Sequence, residues 1–355
     1  MNNKESLLLL VRLGIGHYAI KPPINVDCGA LHTLSEEQGL SAVLLDGIEK
    51  LPEEQKPSKD LMLQWIGEVL QNYEYRYELY RRTLDELAGF YREYGLKMMV
   101  LKGYSYSLDW PRPEHRPCGD IDIWMSGKQK EADNLVEKEK NIKIDTSHHH
   151  HTVFYWRDFM VENHYDFINI YDYESSKELE KIFKELGKDD SYFTVINGEK
   201  IYLPSPNLHV LFLLRHVVSH FASTFVNIRQ ILDWGFFVEK HTKEIDWEWL
   251  LGILDKYHMR EFFNLINAIC IDDLGFGSDM FPGVQFNPLL KERVLSDVFE
   301  HTYGVEELKH LLPGLFYKYK RWQANAWKQK LCYSESRWES SWVGLWAHLL
   351  KPKSI

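Results

Sequence analysis

Lys102-Gly103, followed after an irregular stretch by Gly119-Asp120-Ile121-Asp122-Ile123-Trp124, decides how this chain is read. The apolar run Met98-Met99-Val100-Leu101 leads into Lys102-Gly103. A segment with prolines at 111, 113 and 117 then leads to a second apolar run that carries two aspartates. Side chains two apart in a strand point to the same face. Asp120 and Asp122 are therefore expected side by side, with Ile121 and Ile123 buried behind them. Carboxylates held that close repel each other unless a cation lies between them, and an oxygen-rich pair suits Mg²⁺ or Mn²⁺. That is the chemistry of metal-dependent phosphoryl or nucleotidyl transfer. Asp-x-Asp alone is a common dipeptide frame. Inside an apolar strand, where unpaired charge is costly, and behind a strand that runs into a Gly turn, it points to catalysis.

Outward from this pair, the pattern is mixed. Residues 97–102 and 121–125 read as strands, and 128–140 as a charged helix. Residues 152–156 and 159–165 read as strands joined tightly through Arg157-Asp158. A second hairpin, 192–196 with 200–203, closes on Asn197-Gly198, a favoured two-residue turn. Before this core, residues 62–94 carry the longest helical pattern. Trp65, Val69, Tyr73, Tyr77, Tyr80, Leu84, Leu87 and Tyr91 recur at three- and four-residue steps, a stripe expected to pack in a core. Gly95 is placed to end that helix. Ser35 and Gln38 have the spacing of a capping box. Pro204-Ser205-Pro206 punctuates the chain, and everything after it reads as helix, ending in a Trp-rich, basic stretch over 317–350. The expected class is α+β: an N-terminal helical segment (1–84), a small mixed-sheet α/β core (85–205) and an all-helical C-terminal domain (206–355).

At 355 residues and 45% hydrophobic, the chain can bury a sizeable core. A net charge of −10 argues against a broad nucleic-acid footprint, which needs clustered Lys and Arg. The four cysteines are scattered without metal spacing, the pattern of free thiols in a reducing compartment, so the expected location is cytoplasmic. The Leu7-Leu8-Leu9-Leu10-Val11 run is too short to span a bilayer and is expected on the buried side of a first helix.

Leu101-Lys102-Gly103, Arg116 and Asp120-Ile121-Asp122 together resemble the nucleotidyltransferase superfamily typified by DNA polymerase β. The resemblance is closest to a branch of bacterial, uncharacterised nucleotidyltransferases that show Leu-Lys-Gly, a Pro-containing stretch, Arg and Asp-Ile-Asp. It covers roughly residues 97–166 specifically and extends more weakly into the helical flanks. It implies transfer of a nucleoside monophosphate from a nucleoside triphosphate to an acceptor hydroxyl, with Mg²⁺ or Mn²⁺ on Asp120 and Asp122 and release of pyrophosphate. Such sites draw a third carboxylate from a neighbouring strand, because metals need more oxygen ligands than one Asp pair supplies. Alternation places Glu162, His164 and Asp166 on one face. The Glu-x-His common in the branch selects Glu162, with Asp166 in reserve.

The resemblance assigns nucleotide binding to Lys102, Gly103, Tyr104 and Arg116. Gly103 lets backbone N–H groups approach a phosphate, and Lys102 or Arg116 offsets charge on the leaving pyrophosphate. Tyr104 departs from the superfamily, which usually has Ser or Gly there. The branch also carries a His in the first helix after the core and an Arg and an Asp in the next. His216, Arg229 and Asp233 match those places and, with His164, are expected to line a substrate cleft. His209, His216 and His220 otherwise read as core histidines of one helix face, and Arg229 with Asp233 as an i, i+4 ion pair. His148-His149-His150-His151 reads first as a polar loop or strand start, since consecutive side chains diverge, with a transition-metal site as the minor alternative.

The acidic chain favours a small molecule or a protein as acceptor. Two other classes compete. One is a non-catalytic module that keeps the fold and binds nucleotide, for which Tyr104 is the best support, or that uses the basic C-terminus to bind a protein. The other is a metal-dependent phosphohydrolase, which would release orthophosphate.

Overall fold

The computed structural model describes residues 2–17, 27–170, 174–300, 317 and 320–334. About half of the stretch expected over 317–350, residues 318–319 and 335–350, lies outside them. The fold is α+β, and the chain divides into two compact units. Among the described residues, one comprises those within 75–108 and 117–213, and the other those within 1–74, 109–116 and 214–334.

The first unit is built on a six-stranded mixed sheet of order β3-β4-β2-β1-β6-β5. The strands are β1 (Met99–Val100), β2 (Ile121–Trp124), β3 (His151–Trp156), β4 (Phe159–His164), β5 (Phe193–Ile196) and β6 (Glu199–Tyr202). β2 lies at the centre, antiparallel to β1 and parallel to β4, with Asp122 opposite Glu162 and Trp124 opposite His164. β3 and β4 pair antiparallel across the Arg157-Asp158 turn, so that His151 faces His164. β5 and β6 close on Asn197-Gly198, both with positive φ (47° and 98°), as the two-residue hairpin demands.

The sheet is half of a sandwich whose other half is helix. α5 (Arg76–Glu93) turns Tyr77, Tyr80, Leu84, Leu87, Ala88 and Tyr91 inward to meet Val100, Ile121, Ile123, Phe154 and Val161. Those positions recur at helical spacing on one side and alternate at strand spacing on the other, which is why the two surfaces match. Gly95 ends the helix in the left-handed region (φ 71°), and the N–H of Leu96 donates to the carbonyl of Tyr91. α7 (Gln129–Lys140) buries Ala132 and Val136. α6 (Tyr104–Ser107) and α8 (Glu174–Leu186) complete the unit, with the first residues of α9 (Pro206–Ser223).

The long helix expected over 62–94 is interrupted. α4 (Lys59–Val69) passes into a π-helical turn (Leu70–Tyr75) before α5 begins. Ser35 does not start a helix either: it lies inside α2 (Cys28–Glu37), where its hydroxyl donates to the His32 carbonyl, and Asp27 is the cap. Gln38 instead ties the second unit together, donating to the Val298 carbonyl and accepting the N–H of Ile228. Capping boxes do occur, at Asn2 with Glu5 and at Asn227 with Gln230.

The second unit is helical. Besides α2 and α4 it holds α1 (Asn3–Gly14), α3 (Ser41–Glu49), α10 (Ile228–His241), α11 (Trp247–Lys256), α12 (Arg260–Ala268), α13 (Pro288–Phe299) and α14 (Ala326–Cys332). α1 buries Leu7, Leu10 and Val11, which accounts for the leucine run at the start of the chain. Among the described residues no helix is long and apolar enough to cross a membrane. α1 and α3 touch backbone to backbone: a Cβ on Gly14 would run into the Val43 carbonyl, and one on Gly47 into the Leu10 carbonyl. Gly47→Ala should therefore lower stability by about 2 kcal/mol or more, because the obstruction is backbone. Gly67→Ala, in α4 with open space around its Cα, should raise it by about 0.5–1 kcal/mol. Chemical denaturation of both variants checks the pair.

Candidate functional site

The centre of the sheet carries charge. Asp122, on β2, is 1% exposed, and its Oδ1 is 2.7 Å from Lys102 Nζ and 3.0 Å from His164 Nε2. Glu162, alongside on β4, has Oε2 3.5 Å from the same His164 nitrogen and Oε1 3.7 Å from His151 Nε2. Asp122, Glu162 and His164 form a group close enough to hold one metal ion. Asp120 stands one residue before β2, partly exposed. Its carboxyl is pushed above the usual range, chiefly by repulsion from Asp122 and then by burial, which Lys102 only partly offsets. Three carboxylates, one still under repulsion, are a donor set that fits a hard divalent cation.

Strand geometry explains the assembly. Ile121 and Ile123 are fully buried in the core, which forces Asp122 onto the opposite face. The β2–β4 register then puts Glu162 and His164 beside it. Lys102 enters from the end of β1, one residue past Leu101, whose N–H donates to the Asp122 carbonyl.

His164 is wedged between acceptors. Nε2 faces the Asp122 carboxylate, and Nδ1 lies 3.2 Å from the Asp166 carbonyl. Both ring nitrogens must donate there, so the ring is an imidazolium. Burial opposes that charge, but the hydrogen bonds to Asp122 and Glu162 outweigh it and lift the pKa to about 9. Glu162 moves the other way: burial would raise it, but the hydrogen bond to His164 and the Lys102 charge hold it below the usual range. His150 and His151 are pushed down to about 2 and about 3 by burial and by the neighbouring imidazoles, so both are neutral.

Gly103 is fixed by a contact as well as by its backbone. Its φ is 61°, and a Cβ there would come within 2.5 Å of the Tyr80 hydroxyl. That hydroxyl donates to the Asp120 carbonyl at 2.9 Å, so Gly103, Tyr80 and Asp120 interlock. Sequence reading took Tyr80 only for core; its position on the helical stripe gave no sign of the polar tip. Tyr104 points inward, 3% exposed, with its hydroxyl hydrogen-bonded to Arg81.

The structure does not gather every expected residue here. Asp166 lies beyond the end of β4, so alternation no longer governs it, and its carboxylate pairs with Lys184 of α8. Arg116 belongs to the helical unit, where Nε and Nη2 grip Asp233 at 2.7 and 2.9 Å and the Trp110 indole donates to the same carboxylate. Asp233 thus has Arg116, 117 positions away in sequence, as a partner. His216 and Arg229 also lie in the helical unit, and the His216 ring packs edge-on against His220. His209 stacks on Tyr106 in the sheet unit.

The His164 pKa is testable by NMR titration of the ring in chelator-treated protein. Its folded value exceeds the ordinary 6.5, so its charge stabilises the fold fully below that pH and the contribution is lost as pH rises through about 9. Asp122→Asn should bring the midpoint down toward 6.5, as burial then acts against a weaker partner. An unchanged titration would contradict the assignment.

The chain matches the family model described as an uncharacterised nucleotidyltransferase over residues 25–272. No curated protein matches. Among solved structures it is similar to an antigenic nucleotidyltransferase-like protein from Paracoccidioides brasiliensis, at 15% identity and a TM-score of 0.31. That likeness covers 44% of this chain and 74% of the other, and is too low to carry an argument. The family match spans most of the chain and includes both β2 and β4, with the acidic centre they hold; the protein belongs to this family of nucleotidyltransferases.

Proposed function

We propose that the chain moves a nucleoside monophosphate from a nucleoside triphosphate to an acceptor hydroxyl, using the acidic centre of the sheet and a divalent cation. The observation that carries this reading is the meeting of Asp122 and Glu162 on adjoining strands with Lys102 from the bend after β1, and with Asp120 beside them, in a chain of a nucleotidyltransferase family. Mg²⁺ or Mn²⁺ held by Asp120, Asp122 and Glu162 would supply positive charge to the phosphates and acidify the acceptor hydroxyl.

The protein's own groups take the remaining roles. In the transfer the acceptor oxygen bonds to the α-phosphorus as the bond to the bridging oxygen breaks, and pyrophosphate leaves with that oxygen. Glu162, ionised at neutral pH, can accept the acceptor's proton. His164 cannot, because it is already protonated; it orients Asp122 and Glu162 instead. Lys102 adds a fixed cation, and cations of this kind are worth most where charge develops in a water-poor site. Gly103 keeps the turn before Asp120 free of side chain. For Arg116 and Asp233 the mutual buried pair favours a bracing role in the helical unit; His216 and Arg229 we keep as acceptor-side contacts.

We take the acceptor to be a small molecule or a protein hydroxyl, in keeping with the net charge of −10. Four free cysteines fit a reducing compartment, and we place the protein in the cytoplasm. A non-catalytic reading has one observation behind it: Tyr104 is buried with its hydroxyl bonded to Arg81, where Ser would offer one to the triphosphate.

Pyrophosphate release with ATP, GTP, CTP and UTP, in Mg²⁺ and in Mn²⁺, separates the readings. Wild type should release pyrophosphate from at least one triphosphate. Asp120→Ala/Asp122→Ala should reduce the rate by about 1,000-fold or more, and Lys102→Met by about 100-fold. Metal-dependent binding without any pyrophosphate would favour the non-catalytic module, and orthophosphate in its place a hydrolase. No metal-dependent binding of any triphosphate would sink the enzyme reading.

A further inference from the structure

Beside the carboxylates the structure assembles a second group of donors that the transfer reaction does not use. His150 ends the loop before β3, His151 begins β3, and His164 ends β4 directly opposite His151 in the register. One nitrogen from each of these three rings lies within 4.8 Å of the others. Ring centroids are 4.5 Å apart for His150 and His151, 5.2 Å for His151 and His164, and 5.5 Å for His150 and His164.

Two of the rings, His150 and His151, are short of partners. His151 is 7% exposed, and both its ring nitrogens are buried without a hydrogen bond among the described residues. Nδ1 of His150 is buried and unbonded in the same way. Its nearest acidic neighbour leaves His151 unsatisfied, since Glu162 Oε1 is 3.7 Å from Nε2. A buried polar atom without a partner is costly, and three in one cluster of rings ask for a ligand. The loop is held in place rather than free: the N–H groups of Tyr165 and Asp166 both donate to the His150 carbonyl.

We infer that His150, His151 and His164 form a binding site for a transition-metal dication of the Zn²⁺ or Co²⁺ kind, separate in its donors from the carboxylate site for Mg²⁺. Imidazole nitrogens suit such borderline ions, and Mg²⁺ prefers oxygen. Three imidazoles leave room for a further ligand such as water, the arrangement of an open zinc site. Coordination by His164 releases one of its ring protons to solvent and frees Asp122 from that hydrogen bond. The inference does not depend on nucleotidyl transfer.

Titration of the full-length protein with CoCl₂, followed by visible absorption, tests it, with zinc X-ray absorption on wild type as a check independent of any variant. Wild type should bind one Co²⁺ with the strong d–d bands of a nitrogen-rich, four- or five-coordinate ion, and the zinc spectrum should carry imidazole scattering. His150→Ala/His151→Ala should weaken Co²⁺ binding by about 100-fold. His216→Ala/His220→Ala, which removes the other close pair of rings, should leave it unchanged, and Asp120→Asn should retain the bands. Binding that survives His150→Ala/His151→Ala and disappears with Asp120→Asn would put the ion on the carboxylates and overturn the assignment. So would a wild-type protein that binds no Co²⁺, or a zinc spectrum with oxygen ligands alone.

Discussion

Asp122 is a carboxylate with almost no access to water, and the rest of the site follows from what must stand beside it. A buried, unpaired charge is among the most expensive things a fold can contain. Here two cations meet that demand: Lys102 from the end of β1 and the His164 imidazolium from β4. Their positions are dictated by the pairing of β2 with β1 on one side and β4 on the other. A one-residue slip of β2 would turn Asp122 into the hydrophobic core and Ile121 and Ile123 out of it. The same apolar packing that stabilises the sheet therefore also fixes the acidic face.

The balance at Asp122 leaves Asp120 unsatisfied, and that imbalance connects structure to chemistry. Lys102 and His164 address Asp122 first, while Asp120 remains raised by its neighbour's charge. A cation at this face would relieve Asp120 and at the same time compete with Lys102 and His164 for Asp122. Tyr80 holds the Asp120 peptide from the helix behind, and Gly103 is the residue that leaves space for it to do so. A nucleotidyltransferase needs such a face: carboxylates fixed in advance, with charge waiting to be neutralised.

Much of this was legible in the sequence because it is local. Alternation around Asp120-Ile121-Asp122, the helical stripe from Tyr77 to Tyr91 and the Asn-Gly hairpin each depend on neighbours a few residues away, and the α+β class follows from them. What escaped depends on distant partners. Arg116 and Asp233 meet across 117 positions, so both were read as facing a substrate and not each other. Ser35 has the spacing of a cap, yet the helix had already begun at Cys28 with Asp27 in that role. The π-helical turn at 70–75 leaves no mark in hydrophobic spacing, because the stripe continues through it. For the histidine run, consecutive residues do diverge; the grouping comes from His164 on the neighbouring strand, which the β3–β4 register supplies.

The central claim is that Asp120, Asp122 and Glu162 together hold the cation that meets a nucleotide. The most direct measurement is anomalous X-ray scattering from crystals of the full-length protein grown with Mn²⁺ and a non-hydrolysable nucleoside triphosphate. The account predicts a manganese peak within coordinating distance of all three carboxylates, with the phosphates on the same ion. Nucleotide bound with no manganese there, while Asp122 keeps its pairs with Lys102 and His164, would contradict it.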